Sequence, residues 1–154
     1  MKTLKKGDKA PEFNLKDQNG NSVRLNDFYG RKLLIYFYPK ADTPGCTKQA
    51  CSIKENKYIL AKKDIAIIGV SPDPINKQKQ FDMKYNLDFP LLSDEDHKIA
   101  EYYGAWGEKS MYGKKYMGII RSAFLLNGRG IVIDVWYKVK PEDTISNILK
   151  LIGK

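Results

Sequence analysis

The chain alternates short apolar runs with segments of helical spacing, a pattern typical of an α/β domain. Two apolar runs, 33–38 and 64–71, are long enough for buried strands and are apolar nearly throughout, as parallel strands are. A helix-compatible segment, 47–63, lies between them. A strand, a helix and a strand in this order predict a βαβ unit with a right-handed crossover.

The flanking segments complete a three-layer α/β domain. Residues 12–17 and 22–25 alternate polar and apolar positions around a turn, which predicts an N-terminal β-hairpin. In chain order, the further predictions are a helical turn over 26–30, a helix from 72 to about 85, an extended piece over 89–92, a short helix over 94–103, an ordered loop over 104–118, a hairpin of strands 121–126 and 131–137, and a final helix from 141 with a buried stripe at Ile145, Ile148, Leu149 and Ile152.

Composition adds limits to this picture. With 154 residues, of which 42% are hydrophobic, we expect a single domain over 1–154 and no disorder. The net charge is +9, but the lysines are scattered in short clusters rather than in the long basic block of a nucleic-acid tail. No motif supports a specific nucleic-acid binder, so the charge indicates ordinary solvated surface.

The chain also lacks the usual membrane and export signals. No apolar run approaches the roughly 18 residues that a membrane span needs. The first eight residues are basic but lack the apolar centre of a signal peptide. We therefore expect a cytoplasmic protein without a membrane partner, and in that compartment two close cysteines are more often catalytic than structural.

Cys46 is the strongest candidate for a chemical role. It follows the first buried strand at the start of a predicted helix, where unpaired backbone N–H groups and the helix dipole favour an anion. A cysteine in this place has a reason to be a thiolate, which is the form that attacks. The turn-rich, polar surroundings argue against a buried structural cysteine, so we interpret Cys46 as a nucleophile.

Cys51 is the other cysteine, five positions further along. In an intact helix five residues rise about 7.5 Å and turn the side chain away, whereas a disulfide needs Cα atoms within about 7 Å and facing Cβ atoms. The pair could bond only if the first turns of the helix unwound. The spacing therefore predicts a switch between a dithiol and a locally unfolded disulfide, although taken alone Cys51 could equally be a core cysteine.

Several further motifs agree in order and spacing. They are Pro39-x-x-x-Thr43-x-x-Cys46, Thr43-Pro44-Gly45-Cys46-Thr47-x-x-x-Cys51, Gly69-Val70-Ser71-x-Asp73, Phe89-x-Leu91-Leu92-Ser93-Asp94, Trp106-Gly107-Glu108-Lys109 and Gly118-Ile119-Ile120-Arg121-Ser122-x-Phe124. Over nearly the whole chain this set resembles the peroxiredoxins, specifically the bacterioferritin comigratory protein or Q-type class. The resemblance implies a thioredoxin-like fold, with a central mixed β-sheet flanked by helices.

The resemblance also implies a role for each matching residue. Cys46 would be the peroxidatic cysteine, which hydrogen peroxide or an organic hydroperoxide oxidises to a sulfenic acid. Thr43 would place its hydroxyl beside the sulfur, and Arg121 would favour the thiolate and stabilise charge on the reacting oxygens. Pro39, which has no N–H, would shield the thiolate from water.

Cys51 would be the resolving cysteine of an atypical two-cysteine peroxidase. The resemblance implies an intramolecular disulfide between Cys46 and Cys51, recycled by thioredoxin or a similar dithiol reductant, in a monomer or weak dimer. No flavin or nicotinamide motif is present, so we expect no cofactor and electrons from a partner.

Two further alternatives are weaker. A metal site would have at most Cys46, Cys51 and His97, with spacing unlike that of zinc sites, and His97 is expected at the surface. A thiol–disulfide exchanger or chaperone-like protein on the same fold would have cysteines in a C-x-x-C spacing. The aromatic residues Trp106, Tyr112 and Tyr116 could line the mouth of the site, but we expect them to pack the loop 104–118. Gln49 is assigned no catalytic role.

Overall fold

The computed structural model describes residues 3–153. Parts of two predictions lie outside the described residues. These are residues 1 and 2 of the basic segment 1–8, and residues 1, 2 and 154 of the predicted domain 1–154. In chain order the elements are β1 (Asn14–Lys16), β2 (Ser22–Arg24), a 3-10 helix (Leu25–Phe28), β3 (Lys32–Phe37), α1 (Pro44–Glu55), α2 (Lys57–Lys62), β4 (Ile65–Ser71), α3 (Ile75–Tyr85), β5 (Leu91–Ser93), α4 (Lys98–Tyr102), β6 (Trp106–Met111), β7 (Lys114–Ile119), β8 (Ser122–Leu126), β9 (Val132–Tyr137) and α5 (Asp143–Leu151).

A seven-stranded mixed sheet organises the chain, in the order β2-β1-β5-β4-β3-β8-β9. Strands β3, β4 and β5 run parallel, so the predicted βαβ unit is confirmed, and β8 and β9 add the predicted hairpin in antiparallel register. The N-terminal hairpin β1–β2 joins the sheet through β5. The predicted mixed sheet flanked by helices is therefore confirmed.

The core lies on both faces of this sheet because alternate side chains of β3 point to opposite sides. Leu33, Ile35 and Phe37 belong to one buried cluster, whereas Leu34 and Tyr36 belong to the other, which also contains Cys46. The second cluster is closed by α5, whose Ile145 and Ile148 are buried with Leu149 and Ile152 packed against them. The stripe predicted for the final helix is confirmed.

The segment 47–63, predicted as one helix, is two helices that meet at Asn56. Asn56 has φ −109° and ψ 10°, outside the helical range, and its side-chain amide donates to the carbonyl of Ser52 at 2.8 Å. The Ser52 hydroxyl in turn donates to the carbonyl of Gln49 at 2.8 Å. Such local side-chain bonds compete with the helical backbone pattern, so the single-helix prediction was wrong.

The loop predicted over 104–118 is instead largely the two-stranded ribbon β6–β7, in which Trp106 pairs with Ile119 and Met111 with Lys114. Its strands lack regular apolar alternation because both faces of the ribbon are largely exposed. Tyr112 and Gly113 form the tight turn, both at positive φ. With Tyr112 98% exposed, the prediction that this aromatic side chain packs the segment was also wrong.

Other boundaries differ by a few residues. The helix expected from 72 begins at Ile75, after Pro74, which is extended at ψ 167°. The helix expected from 94 begins at Lys98 because His97 adopts a left-handed conformation at φ 51°. The final helix begins at Asp143 rather than at 141.

Candidate active site

Cys46 occupies the third position of α1, in its first turn. The helix begins at Pro44, where a missing N–H costs nothing, and Thr43 is the extended residue before it. The start is therefore three residues earlier than predicted from the sequence, and the predicted placement of Cys46 at a helix N-terminus is confirmed. Backbone N–H groups without helical partners lie in this turn and favour negative charge nearby.

The loop between β3 and α1 is held by two carboxylates. Asp42 adopts a left-handed conformation at φ 62°, and its carboxylate accepts from Lys84 Nζ at 3.0 Å and from the Tyr85 hydroxyl at 2.9 Å. These two hydrogen bonds hold the pKa of Asp42 below its usual value, and the bond from Lys84 has the larger effect. Asp73 accepts from the backbone N–H of Ala41 at 2.7 Å. Both contacts fix the loop against α3 and the segment that precedes it.

Sheet register brings Arg121 to this loop. Phe37, the last residue of β3, pairs with Ser122, the first residue of β8, so the segments that follow and precede them meet at one edge. The Arg121 guanidinium Nη1 lies 3.5 Å from Cys46 Sγ. Cys46 is only 1% exposed, so the guanidinium charge acts on its sulfur with little screening by water.

Gln49, which sequence reasoning set aside, holds the guanidinium. Its Oε1 accepts from Arg121 Nη1 at 2.7 Å, and its Nε2 donates to Thr144 Oγ1 of α5 at 2.8 Å. Both Gln49 and Thr144 are completely buried. Gln49 lies three residues after Cys46, the spacing that puts two helical side chains on one face, and this was the available signal.

Gly45 gives the guanidinium its space. A Cβ atom at this position would lie 3.2 Å from Arg121 Nη2 and 3.4 Å from Pro141 Cγ. Arg121 is thus enclosed between the first turn of α1 and the segment that leads to α5. Any side chain at position 45 would press on the group that faces the sulfur.

The other two predicted site residues lie on the same loop. Thr43 is half-buried, and its hydroxyl donates to the carbonyl of Lys40 at 2.8 Å. Pro39 is half-buried, two residues beyond the end of β3. Both are therefore on the segment between β3 and Cys46, and their roles remain predictions.

Cys51 lies five residues after Cys46 on α1, and both cysteines are free thiols. Cys51 is partly exposed and packs against the same cluster that contains Cys46. Burial raises the pKa of the Cys51 thiol; nearby Lys54 opposes this shift and Glu55 adds to it. The helix is intact between the two sulfurs, so the folded dithiol geometry is the one in which they are kept apart.

Two tyrosines of β3 and its continuation lie in the cluster that contains Cys46. The Tyr38 hydroxyl donates to Gln78 Oε1, whereas the Tyr36 hydroxyl is buried with no hydrogen-bond partner among residues 3–153. Gly69 of β4 makes room for the Tyr36 ring, whose Cζ lies 2.9 Å from where a Cβ would be. Burial raises the pKa of both phenols, so each stays protonated.

The residues considered for other chemistry lie elsewhere. His97 is at the surface as predicted, where its ring stacks on Trp106 at a centroid distance of 3.7 Å and its Nδ1 lies 2.7 Å from Glu101 Oε2. Within residues 3–153, no group of three or more His, Cys, Asp or Glu side chains is placed to hold a metal ion. None of the helices described for that range is long and apolar enough to cross a membrane.

Comparison with known proteins agrees with this geometry. The model of the AhpC/TSA family matches residues 6–135. The chain is 47% identical over 153 residues to peroxiredoxin Bcp of Escherichia coli (strain K12), covering 97% of this chain and 98% of the relative. It is 44% identical over 150 residues to peroxiredoxin Bcp of Bacillus subtilis (strain 168), covering 97% and 96%.

A solved structure is similar as well. The bacterioferritin comigratory protein of Xanthomonas campestris, solved in a study of its alkyl peroxide reduction activity, superposes with a TM-score of 0.86 at 35% sequence identity. The match covers 92% of this chain and 90% of that one. The family model, the relatives and the fold therefore agree: this chain belongs to the AhpC/TSA family, among the peroxiredoxins of the Bcp or Q class.

Proposed function

We propose that the protein is a thiol peroxidase in which Cys46 reduces hydrogen peroxide and organic hydroperoxides. The observation that carries the proposal is the Arg121 guanidinium, 3.5 Å from a sulfur in the first turn of a helix. A fixed cation and free backbone N–H groups both favour the thiolate over the thiol. The same charges stabilise an anionic transition state once a peroxide enters.

The first step is a displacement at oxygen. The Cys46 thiolate attacks the terminal oxygen of the peroxide, an S–O bond forms and the O–O bond breaks. Sulfur gives up two electrons to become a sulfenic acid. The other oxygen of the peroxide leaves as hydroxide or alkoxide, which takes a proton from water. The Thr43 hydroxyl would bind the incoming peroxide, and Pro39 would limit water around the sulfur.

Cys51 resolves the sulfenic acid. Its thiolate attacks the oxidised Cys46 sulfur, a disulfide forms and water leaves. About 7.5 Å of helical rise separates the two positions, so this step requires the N-terminal turns of α1 to unwind. Because both cysteines lie on one helix, we infer an intramolecular disulfide and a monomer or weak dimer.

A dithiol protein would complete the cycle. Exchange of thioredoxin or a similar dithiol with the Cys46–Cys51 disulfide would return both thiols, with the electrons coming from the partner. We also infer a single domain over 1–154, supported by the family match across residues 6–135. The cytoplasmic location expected from the sequence stays a prediction.

The test follows sulfur oxidation by mass spectrometry. With one equivalent of hydrogen peroxide, the wild type should lose two hydrogens and link Cys46 to Cys51, whereas Cys51→Ser should gain one oxygen on Cys46. Cys46→Ser should consume no peroxide, and Cys51→Ser should stop after one turnover with thioredoxin as reductant.

Peroxide consumption by Cys46→Ser at the wild-type rate would reject the assignment. A wild type that exchanged disulfides but consumed no peroxide would favour the thiol–disulfide exchanger instead.

A further inference from the structure

Asp73 ends the motif Gly69-Val70-Ser71-x-Asp73 and contacts the loop that leads to the reactive cysteine. Its Oδ2 accepts from the Ala41 N–H at 2.7 Å and from the Ser71 hydroxyl at 2.7 Å. Hydrogen bonds to a carboxylate are roughly twice as strong as those between neutral groups. The carboxylate therefore holds the peptide group that joins residues 40 and 41 by its N–H end.

Asp73 itself has a rigid support. It stands between Pro72 and Pro74, whose rings restrict the backbone on both sides. The Ser71 hydroxyl that donates to it accepts in turn from Gln78 Nε2 at 2.8 Å, and Gln78 is completely buried. The position of the carboxylate is therefore set by α3 and by the end of β4, and not by the loop that it contacts.

Thr43 holds the other end of the same peptide group. Its hydroxyl donates to the Lys40 carbonyl at 2.8 Å. The peptide bond is trans, so its C=O and its N–H point in opposite directions, toward Thr43 and toward Asp73. A peptide group bound at both ends is held against rotation, so Asp73 fixes the direction in which the Thr43 hydroxyl points its proton.

The fixed proton leaves Thr43 with lone pairs only. A hydroxyl has one proton to donate and two lone pairs that accept, and the Thr43 proton is already bound to the Lys40 carbonyl. Thr43 is the N-cap residue of α1, a position whose oxygen ordinarily accepts from the second or third residue of the helix. Among residues 3–153 no such capping bond forms from Thr43, and Cys46 is the third residue. The lone pairs are therefore free in the turn that carries the reactive sulfur.

We propose that Asp73 is a positioning residue for peroxide reduction: through the peptide group between residues 40 and 41 it keeps the Thr43 hydroxyl as an acceptor for the O–H of the hydroperoxide. This role rests on the proposed peroxidase function and on the part of Thr43 in it. The attacked terminal oxygen carries that hydrogen and keeps it as the sulfenic acid forms, while the electron pair of the O–O bond leaves with the other oxygen. The bond to Thr43 orients the terminal oxygen toward the thiolate.

The loss of Asp73 would free the peptide group to reverse. Its N–H would then face Thr43, and the hydroxyl would accept from that N–H and turn its own proton toward the site. A hydroxyl in this state no longer favours the O–H of the peroxide as its partner. The chemistry of Cys46 with reagents that have no such O–H should be unaffected.

The experiment measures two reactions of Cys46 in the Cys51→Ser background, which leaves a single thiol. Stopped-flow oxidation by hydrogen peroxide uses the O–H of the oxidant, whereas alkylation by iodoacetamide does not. Asp73→Ala should slow oxidation about tenfold and change the alkylation rate by less than about twofold. Asp73→Asn keeps an acceptor oxygen and should stay within about threefold of the parent protein in both reactions.

Two further variants make the result specific. Thr43→Val keeps the shape and removes the hydroxyl, so adding Asp73→Ala to it should cost less than about twofold in oxidation rate. Asp42→Asn is the loop control, because it weakens the other carboxylate that anchors the loop and suits the left-handed backbone there. Its oxidation rate should stay within about twofold of the parent, since its partners lie on α3 and not on the peptide group between residues 40 and 41.

Several results would overturn the proposal. Faster alkylation together with slower oxidation in Asp73→Ala would show that the loop has merely loosened around a buried sulfur. An unchanged oxidation rate in Asp73→Ala, an Asp73→Asn protein as slow as it, an equal loss in the Thr43→Val background or an equal loss in Asp42→Asn would overturn it too. If the parent protein itself failed to react with hydrogen peroxide, the peroxidase function would be the part that failed.

Discussion

Arg121 faces Cys46 through a chain of contacts that begins in the buried layer between α1 and α5. Thr144 of α5 accepts from Gln49, and Gln49 accepts from Arg121. A long arginine side chain loses conformational entropy when it is fixed. The buried hydrogen bonds through Gln49 and Thr144 offset this loss. Gln49 is therefore a positioning residue for the guanidinium.

Gln49→Leu should slow the oxidation of Cys46 roughly tenfold, because the guanidinium loses the acceptor that orients it. Gln49→Glu keeps an acceptor oxygen and should retain more activity than the leucine variant. Stopped-flow oxidation with hydrogen peroxide measures both. Wild-type rates in Gln49→Leu would show that Arg121 is held without it.

Tyr36 presents the opposite case, a buried hydroxyl without a partner within residues 3–153. Tyr36→Phe should raise the free energy of unfolding by about 1 kcal/mol, because it removes the cost of a buried unpaired polar group. Tyr38→Phe is the matched control and should lower it by about 1 kcal/mol, because Gln78 Oε1 loses its donor. Denaturant unfolding of the reduced protein measures both, and the reverse order would contradict this explanation.

At the residue scale, the sequence predicted the groups whose chemistry is recognisable and missed those that act through another residue. Cys46 follows a strand and starts a helix, and Arg121 was identified by its motif. Gln49 belongs to no such motif; its only signal is its spacing from Cys46, and its role depends on Thr144, 95 residues away. Tyr112 was misjudged because aromatic side chains usually pack, and only the turn geometry shows that it cannot.

Helix α1 has two opposing tasks: it must be intact to hold Cys46 against Arg121 and must open for Cys51 to reach it. Its far end is anchored, since Lys54 Nζ donates to the Tyr85 carbonyl at 2.9 Å and Lys57 Nζ, in α2, donates to the Asp88 carbonyl at 3.0 Å. Its near end contains Gly45, a poor helix former, in the first turn. The unwinding should therefore begin at the Cys46 end.

Amide hydrogen exchange should report this opening. Oxidation to the disulfide should speed exchange in residues 46–51, while α2 keeps its protection because Lys57 still anchors it. Cys51→Ser oxidised to the sulfenic acid is the control and should remain protected over the same residues. Equal protection of 46–51 in the dithiol and disulfide forms would contradict the switch.

The hydrophobic pattern of the sequence predicted which buried strands exist, but it did not predict where a helix is interrupted. The buried strands β3 and β4 were evident because nearly every position is apolar. The break at Asn56 depends on side-chain hydrogen bonds to nearby backbone carbonyls, which compete with the helical backbone hydrogen bonds. Such bonds do not change the hydrophobic periodicity of the sequence. The ribbon β6–β7 was taken for a loop because a strand pair exposed on both faces has no apolar face to reveal it.

Across the whole molecule, the sheet assembles the site from remote parts of the chain. Parallel pairing of β3 with β4 and antiparallel pairing of β3 with β8 place the loop before α1 beside the residue before β8. The pairing of Phe37 with Ser122 fixes that approach. A shift of register by one residue would turn Arg121 away from the sulfur.

Oxidation should not cross-link one molecule to another. Both cysteines lie on α1 of the same chain, so the disulfide should close within it. Non-reducing electrophoresis after one equivalent of hydrogen peroxide should show a single monomer band for the wild type, and Cys51→Ser, in which Cys46 stops at the sulfenic acid, is the control without a disulfide. Predominant disulfide dimers in the wild type would contradict an intramolecular resolving step.

The most direct measurement is the rate constant for Cys46 oxidation in Arg121→Ala, followed by stopped-flow tryptophan fluorescence with hydrogen peroxide. Loss of the charge that faces the sulfur should lower this rate constant by roughly 10²- to 10³-fold while circular dichroism shows the fold intact. Arg121→Lys keeps a positive charge but lacks the planar guanidinium that Gln49 orients, so its rate constant should lie between those of the wild type and Arg121→Ala. An Arg121→Ala protein that folds normally and reacts at the wild-type rate would contradict the account.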